Sequence, residues 1–234
     1  GLGGKVRRHL PNSQVYIVET GSSDLDMYDI KLRDFRLSGA AMQIVEPDYV
    51  VFASLTPNDH SFSSLWGMNN TGQSGGVGDA DIDAPEAWDV ARGSSAVVVG
   101  IIDTGIDHTH PDLAANMWLN AGEIPGNGID DDGNGYIDDM RGWDFVSNDN
   151  DPADDHYHGT HCAGTIGAVG DNGIGVAGVC HTVRLMALKF LSGSGGGSTS
   201  DAIEAVLYAT ANHVTLTSNS WGGGGYSQTL KNAI

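Results

Sequence analysis

Residues 97–112 read VVVGIIDTGIDHTHPD. An apolar run stops abruptly at a carboxylate, Asp103, and the chain turns on Gly105 into further acid. A run that is apolar on both faces suits a strand inside a parallel sheet. In open α/β sheets the chemistry lies beyond the carboxyl ends of such strands, where Asp103 stands. A second stretch, residues 158–167 (HGTHCAGTIG), puts His158 at the start of a helix of small residues. An Asp and a His delivered from neighbouring strand and helix ends orient a general base for a serine nucleophile.

Around that run, strand and helix patterns alternate. Helices are expected at 85–90, 158–169, 200–213 and 227–234, and strands at 97–102, 183–190 and 214–220. Within 200–213, Ile203, Val206, Leu207 and Tyr208 form an apolar stripe, and Asp201 favours the helix start. The expected fold class is α/β, a three-layer α/β/α arrangement on a mainly parallel sheet. Residues 56–81, with Pro57, Asn69-Asn70 and repeated glycine, read as a linker and an irregular surface segment. Residues 1–53 have their own pattern: a strand at 14–18, a helix at 25–37, and strands at 42–45 and 49–52 around Glu46-Pro47-Asp48. That piece is too short to be a robust domain alone. The expected domains are therefore 1–53 and 54–234.

The chain has 234 residues, 40% of them hydrophobic, which is enough for a core. No stretch reaches the about 18 consecutive apolar residues that cross a bilayer. The opening GLGGKVRRHLP is basic but lacks the apolar core of a signal peptide, so export is not readable from the chain. Thirty acids against 11 bases give a net charge of −19. Such a surface repels a polyanionic backbone and argues against nucleic acid as a partner. The two cysteines, Cys162 and Cys180, are too few for a disulfide framework and wrongly spaced for zinc. Both read as small buried hydrophobes. Cys162 lies four residues after His158, yet it lacks a base of its own and is not taken as a nucleophile.

DTGIDHTHPDL (103–113) and HGTHCAG (158–164), in this order and separation, resemble the subtilisin-like serine peptidases. The similarity extends through PNDHSFSSLWGMNNTGQ (57–73), DADIDAPEAW (79–88) and SNSWGG (218–223). The family is itself a type case of the Asp-His-Ser triad. The resemblance implies that Asp103 is the orienting carboxylate, that His158 is general base and then general acid, and that His161 is structural. It further implies that Ser220, Trp221 and Gly222 pair with extended substrate and wall the primary specificity pocket. Gly195, Gly196 and Gly197 would form the opposite edge, so that a protein or peptide substrate adds as a strand.

Two family parts have no counterpart. Asn219 stands one residue before the pocket strand, which is the wrong place for the oxyanion-hole asparagine of an AAGN-type motif. A GTSxA nucleophile motif is absent, and Ser94, Ser95, Ser192 and Ser194 lie in Gly/Ser loops. The expectation is that this is the N-terminal portion of a longer endopeptidase whose serine lies beyond Ile234. Alone it would be inactive, because it lacks the attacking oxygen. The alternative is a non-catalytic calcium- and peptide-binding module of the same fold. Tyr157 departs from the small residue usual before the histidine, which bears on the adjacent subsite. Residues 1–53 resemble the later part of the family's propeptide, an inhibitor and chaperone acting in cis, through IVEPDYVV (44–51). Maturation cleavage would then fall near 52–59. The resemblance implies a secreted, monomeric protein.

Asp130, Asp132 and Asn134 alternate around Gly135, followed by Asp138 and Asp139. Hard oxygen donors in that spacing suit Ca2+, with Tyr136 lending its carbonyl. Position twelve is Arg141 instead of Glu, so this is no complete EF-hand, and a solvated acidic loop is the alternative reading. By resemblance, a second calcium is shared by Asp112, the Asn172 side chain and the carbonyls of Gly170, Ile174 and Val176. Bound calcium would stabilise the native state by mass action. A zinc hydrolase built on His156, His158 and His161, or on Asp107, His108 and His110, is disfavoured because no HExxH glutamate accompanies them.

Overall fold

A computed structural model describes residues 5–11, 16–19 and 56–234. The chain divides into two compact units, Gly1–Ala53 and Ser54–Ile234. In the first, β1 (Lys5–His9) pairs antiparallel with β2 (Tyr16–Glu19), and the register shifts between Val6 and Arg8. The strand expected at 14–18 falls on β2. The basic patch at the start was read only as charge, and it forms β1. The helix expected at 25–37 and the strands at 42–45 and 49–52 lie outside the described residues.

In the second unit the order is α1 (Ala84–Trp88), β3 (Gly93–Asp103), β4 (Gly142–Asp144), α2 (His158–Gly167), β5 (Thr182–Lys189), α3 (Thr199–Ala211), β6 (Leu216–Ser218) and α4 (Gln228–Ala233). The four strands β3 to β6 form one parallel sheet in the order β4-β5-β3-β6. This is the expected α/β architecture. β4 escaped the sequence reading because its three residues, GWD, are too few to show a period.

Both faces of the sheet are covered, and alternation along the strands divides them. Val99, Ile101, Val183, Leu185 and Ala187 pack on one face with Ala163 of α2. Ile102, Met186 and Leu188 pack on the other with Ala202, Ala205, Tyr208 and Ala209 of α3. Ile101, Ile102, Leu185, Met186 and Leu188 are all 0% exposed. Each such side chain contributes about 1.5–3 kcal/mol on removal from water, which is why these strands read as unbroken apolar runs.

α3 starts where Ser198 Oγ accepts the amide of Asp201 at 3.1 Å, with Asp201 favourably placed in the first turn. Its buried face is a correction. The apolar stripe was expected at Ile203, Val206, Leu207 and Tyr208. Tyr208 is buried as expected and Val206 packs against the core, but Ala202, Ala205 and Ala209 complete the buried face and Leu207 is 54% exposed. Small alanines let the helix approach the sheet closely, so close approach outweighed side-chain size in choosing the face.

Candidate active site

β3 delivers Asp103 to the rim of the sheet, where it is 1% exposed. Its carbonyl accepts the amides of Phe190 (3.0 Å) and Leu191 (3.2 Å), which fixes the chain just beyond β5 against the end of β3. α2 begins beside it without a cap of its own, since Tyr157 at the N-cap has φ 99° and no capping side chain. Two first-turn amides are satisfied from elsewhere. Gly159 N donates to Thr104 Oγ1 (2.8 Å) and Thr160 N to Asp154 Oδ2 (2.9 Å). The residue after Asp103 thus caps the helix that carries His158.

Two glycines allow this approach. A Cβ on Gly159 would stand 2.1 Å from the Gly105 carbonyl oxygen. Gly105 itself has φ 103°, and a Cβ there would lie 2.5 Å from the Pro152 carbonyl oxygen.

The outcome is a 2.6 Å hydrogen bond between His158 Nδ1 and Asp103 Oδ1, with Asp103 buried and His158 39% exposed. A carboxylate only accepts, so Nδ1 carries the proton, and in the neutral imidazole Nε2 then keeps a lone pair. Asp103 Oδ1 also accepts the Thr104 amide at 2.8 Å. Among the described residues no serine hydroxyl is hydrogen-bonded to Nε2. Cys162 Sγ lies 3.9 Å from Nδ1, the nitrogen already committed to Asp103. Burial raises its thiol pKa, and Asp103 and Asp154 add to that rise against a lowering by the Ser220 side chain. A thiol so disposed is a poor nucleophile.

Asp154 is the hub in front of α2. Its Oδ1 accepts from Thr104 Oγ1 and from the amides of His156 and Tyr157, and its Oδ2 accepts from Thr160 N and Oγ1. Burial alone would raise its pKa, but the hydrogen bonds from Thr160, His156 and Tyr157 together hold it below the ordinary 3.8.

Of the expected substrate-contacting residues, Ser220, Trp221 and Gly222 follow β6, and they make no backbone–backbone hydrogen bond among the described residues. Gly195, Gly196 and Gly197 follow β5 through a turn in which Ser192 N donates to Gly196 O (2.9 Å) and Gly195 N to Ser192 O (2.8 Å). The rings of Phe190 and Trp221, 4.8 Å apart, bring the two stretches together. His156 stacks on Tyr157 at 4.5 Å, and neither histidine-rich cluster brings three donor atoms within 4.8 Å among the described residues.

Among the acidic residues, the structure gathers Glu123, Asp130 and Asp132, whose ligand atoms lie within 4.8 Å of one another. The sequence reading missed Glu123. It is 6% exposed, and it takes the amides of Asp131, Asp132 and Asp138. Asn134 donates to Asp132 and to Asp139, and its own Oδ1 takes the Tyr136 amide. Asp138 accepts the amides of Asn127 and Gly128. Asp139, fully buried, accepts from Asn120, Asn134 and the Tyr208 hydroxyl, and burial raises its pKa. Burial, reinforced by Glu204, pushes Tyr136 up to about 12.

At the second loop, Asp112 accepts from Asn172 Nδ2 (2.7 Å) and Val176 N (2.9 Å), while Asn172 Oδ1 takes the Ile174 amide (2.7 Å). Gly170 packs on His181, and a Cβ there would stand 2.4 Å from its ring. Asp59 was also missed. It is 5% exposed and its Oδ2 takes the Asp171 amide, while its Oδ1 is buried without a partner. An orphaned buried carboxylate oxygen beside this loop is the chemistry a hard cation satisfies.

Comparison with known proteins meets this geometry. The model of the subtilase family, peptidase family S8, matches residues 94–234. A thermophilic serine proteinase of Bacillus sp. (strain AK1) is 33% identical over 194 residues, covering 82% of this chain and 40% of that protein. Thermitase of Thermoactinomyces vulgaris is 35% identical over 179 residues, covering 76% of this chain and 52% of thermitase. An extracellular protease of Xanthomonas campestris pv. campestris is 36% identical over 215 residues, with 82% of this chain and 34% of that protein covered. The chain therefore spans about a third to a half of the length of these relatives. An Asp-ended strand buttressed against a His-headed helix, within a sequence that matches throughout this region, leads to one conclusion: the chain belongs to the subtilase family.

Proposed function

We propose that this chain supplies the Asp–His half of a serine endopeptidase, with the nucleophilic serine contributed by sequence outside residues 1–234. The observation that carries this reading is the 2.6 Å Asp103–His158 bond, which leaves Nε2 as the basic nitrogen. In the reaction, Nε2 takes the hydroxyl proton as the serine attacks the scissile carbonyl. Asp103 holds the imidazole in place and stabilises its cation, and the proton then passes to the leaving amine. The extended substrate lies between Ser220–Gly222 and Gly195–Gly197. Among the described residues the backbone of 220–222 makes no hydrogen bond to other backbone, which supports that placement, since such amides and carbonyls accept a strand.

Calcium belongs to this reading as a structural ion. Glu123, Asp130 and Asp132 would hold one ion, with Asn134, Tyr136, Asp138 and Asp139 around it. Asp59, Asp112, Asn172 and the carbonyls of Gly170, Ile174 and Val176 would hold a second. The cation neutralises clustered carboxylates and fixes their loops, and His158 and Asp103 perform the chemistry.

Residues 1–53 act as an inhibitory and chaperoning propeptide in cis, so the enzyme is made as a zymogen. It works as a monomer and is exported, the latter in keeping with the name of the Xanthomonas relative, an extracellular protease. No helix among the described residues is long and apolar enough to cross a membrane. The test is labelling of the intact gene product with a fluorophosphonate. Labelling that disappears in His158→Ala supports the reading. No labelling of the wild-type product would refute it.

A further inference from the structure

β5 is apolar along its buried length except at its last position, where Lys189 is 4% exposed. An ammonium in such a place is costly unless every proton is matched. Here all three are. Lys189 Nζ donates to the Thr104 carbonyl at 2.7 Å, to the Leu191 carbonyl at 3.0 Å and to Asp155 Oδ1 at 2.5 Å. Across the sheet its Cα is in register with Asp103 on one side and Asp144 on the other.

The three acceptors belong to three different segments. Thr104 follows Asp103 and caps the α2 amide of Gly159. Asp155 lies three residues before His158, next to the hub carboxylate Asp154. Leu191 leads into the Ser192–Gly196 turn and so to Gly195–Gly197. A methionine would fill the same space at less desolvation cost. What the ammonium adds is a direct link between the catalytic carboxylate's loop, the approach to the histidine helix and the proposed substrate edge.

We propose that Lys189 is a positioning residue that fixes the Leu191–Gly197 edge against the Asp103–His158 pair and so sets affinity for extended peptide. The proposal rests on the reading of Gly195–Gly197 and Ser220–Gly222 as the peptide-binding edges. The Asp155 side chain is 60% exposed, so water screens its bond to Lys189 in part and its share is the smaller one, whereas the Thr104 and Leu191 carbonyls have Lys189 as their buried donor.

The experiment uses the intact gene product after maturation has removed residues 1–53, so that no propeptide covers the edges. Affinity for an N-acylated tetrapeptide amide is read from tryptophan fluorescence. The low-field proton resonance of His158 Nδ1 reports the Asp103–His158 bond separately. Lys189→Met is expected to weaken peptide binding at least tenfold while that resonance persists. Asp155→Asn, which keeps the two carbonyl contacts and carries little risk to folding, weakens it about threefold. A merely structural lysine would lower the melting temperature and leave affinity unchanged, so a folded Lys189→Met that binds within twofold of wild type overturns the proposal. Should Lys189→Met fail to fold, Asp155→Asn decides alone, and unaltered affinity overturns the proposal. A wild-type chain that binds no peptide but keeps the His158 resonance removes the edge reading, and this proposal with it, while the catalytic pair stands.

Discussion

Asp103 and His158, 55 positions apart in the chain, share a 2.6 Å hydrogen bond because the residue after the first caps the helix that begins at the second. Thr104 Oγ1 accepts the Gly159 amide and donates to Asp154, so one hydroxyl ties the strand end to both the helix and its hub. Thr104→Val keeps the shape and removes the hydroxyl, leaving a buried amide unpaired. The expected loss is about 1–3 kcal/mol in a denaturant melt. Thr104→Ser should recover most of it. A valine variant as stable as wild type would show that the cap carries no weight.

Gly159→Ala tests the close approach itself. The added methyl would lie 2.1 Å from the Gly105 carbonyl oxygen, and backbone cannot yield as a flexible side chain does. Overpacking of this kind costs about 3 kcal/mol. The His158 Nδ1 resonance should be lost or markedly shifted. Retention of both stability and resonance would contradict the packing described.

Acid should weaken the site through Asp154, whose pKa is held below the ordinary 3.8 by its hydrogen bonds. A group with a depressed folded value binds its proton less tightly in the native state. Its stabilisation is therefore full above about 3.8 and is lost as the pH falls through the lower, folded value. Asp154→Asn removes that contribution and turns an amide donor toward Thr160. Stability at neutral pH should fall by about 1–3 kcal/mol, and the steepness of the acid limb below that pH should shrink. An unchanged acid limb would show that another carboxylate governs it.

Calcium should raise the melting temperature. Binding to the native state alone adds about 2.7 kcal/mol when free ion exceeds its Kd a hundredfold. The increment should shrink in Glu123→Gln and in Asp59→Asn, which alter the acidic cluster and the orphaned oxygen respectively. Melting curves that coincide in calcium and in a chelator would remove the ion from the account.

The pair Asp103 and His158 was legible because each sits where a clear pattern ends, an apolar strand for one and a small-residue helix for the other. The sheet was legible for the same reason: strands buried on both faces carry unbroken apolar runs. The supporting residues were not. Asp59 meets the Asp171 amide 112 positions away, and Tyr208 reaches Asp139 across 69, distances over which no local period carries information. Lys189 stands at the end of an apolar run of four, Leu185 to Leu188, where a charge was a signal in plain view. The α3 stripe was misjudged for a related reason. Alanine contributes little to a hydrophobic count, yet it is what permits a helix to lie close against a sheet.

The most direct measurement is kcat/KM for peptide hydrolysis by the intact gene product carrying Asp103→Asn. Asparagine preserves the shape but no longer holds the imidazole with its proton on Nδ1. The expected result is a fall of about 10⁴-fold with folding intact. Activity within threefold of wild type would mean that Asp103 does not orient His158 for catalysis.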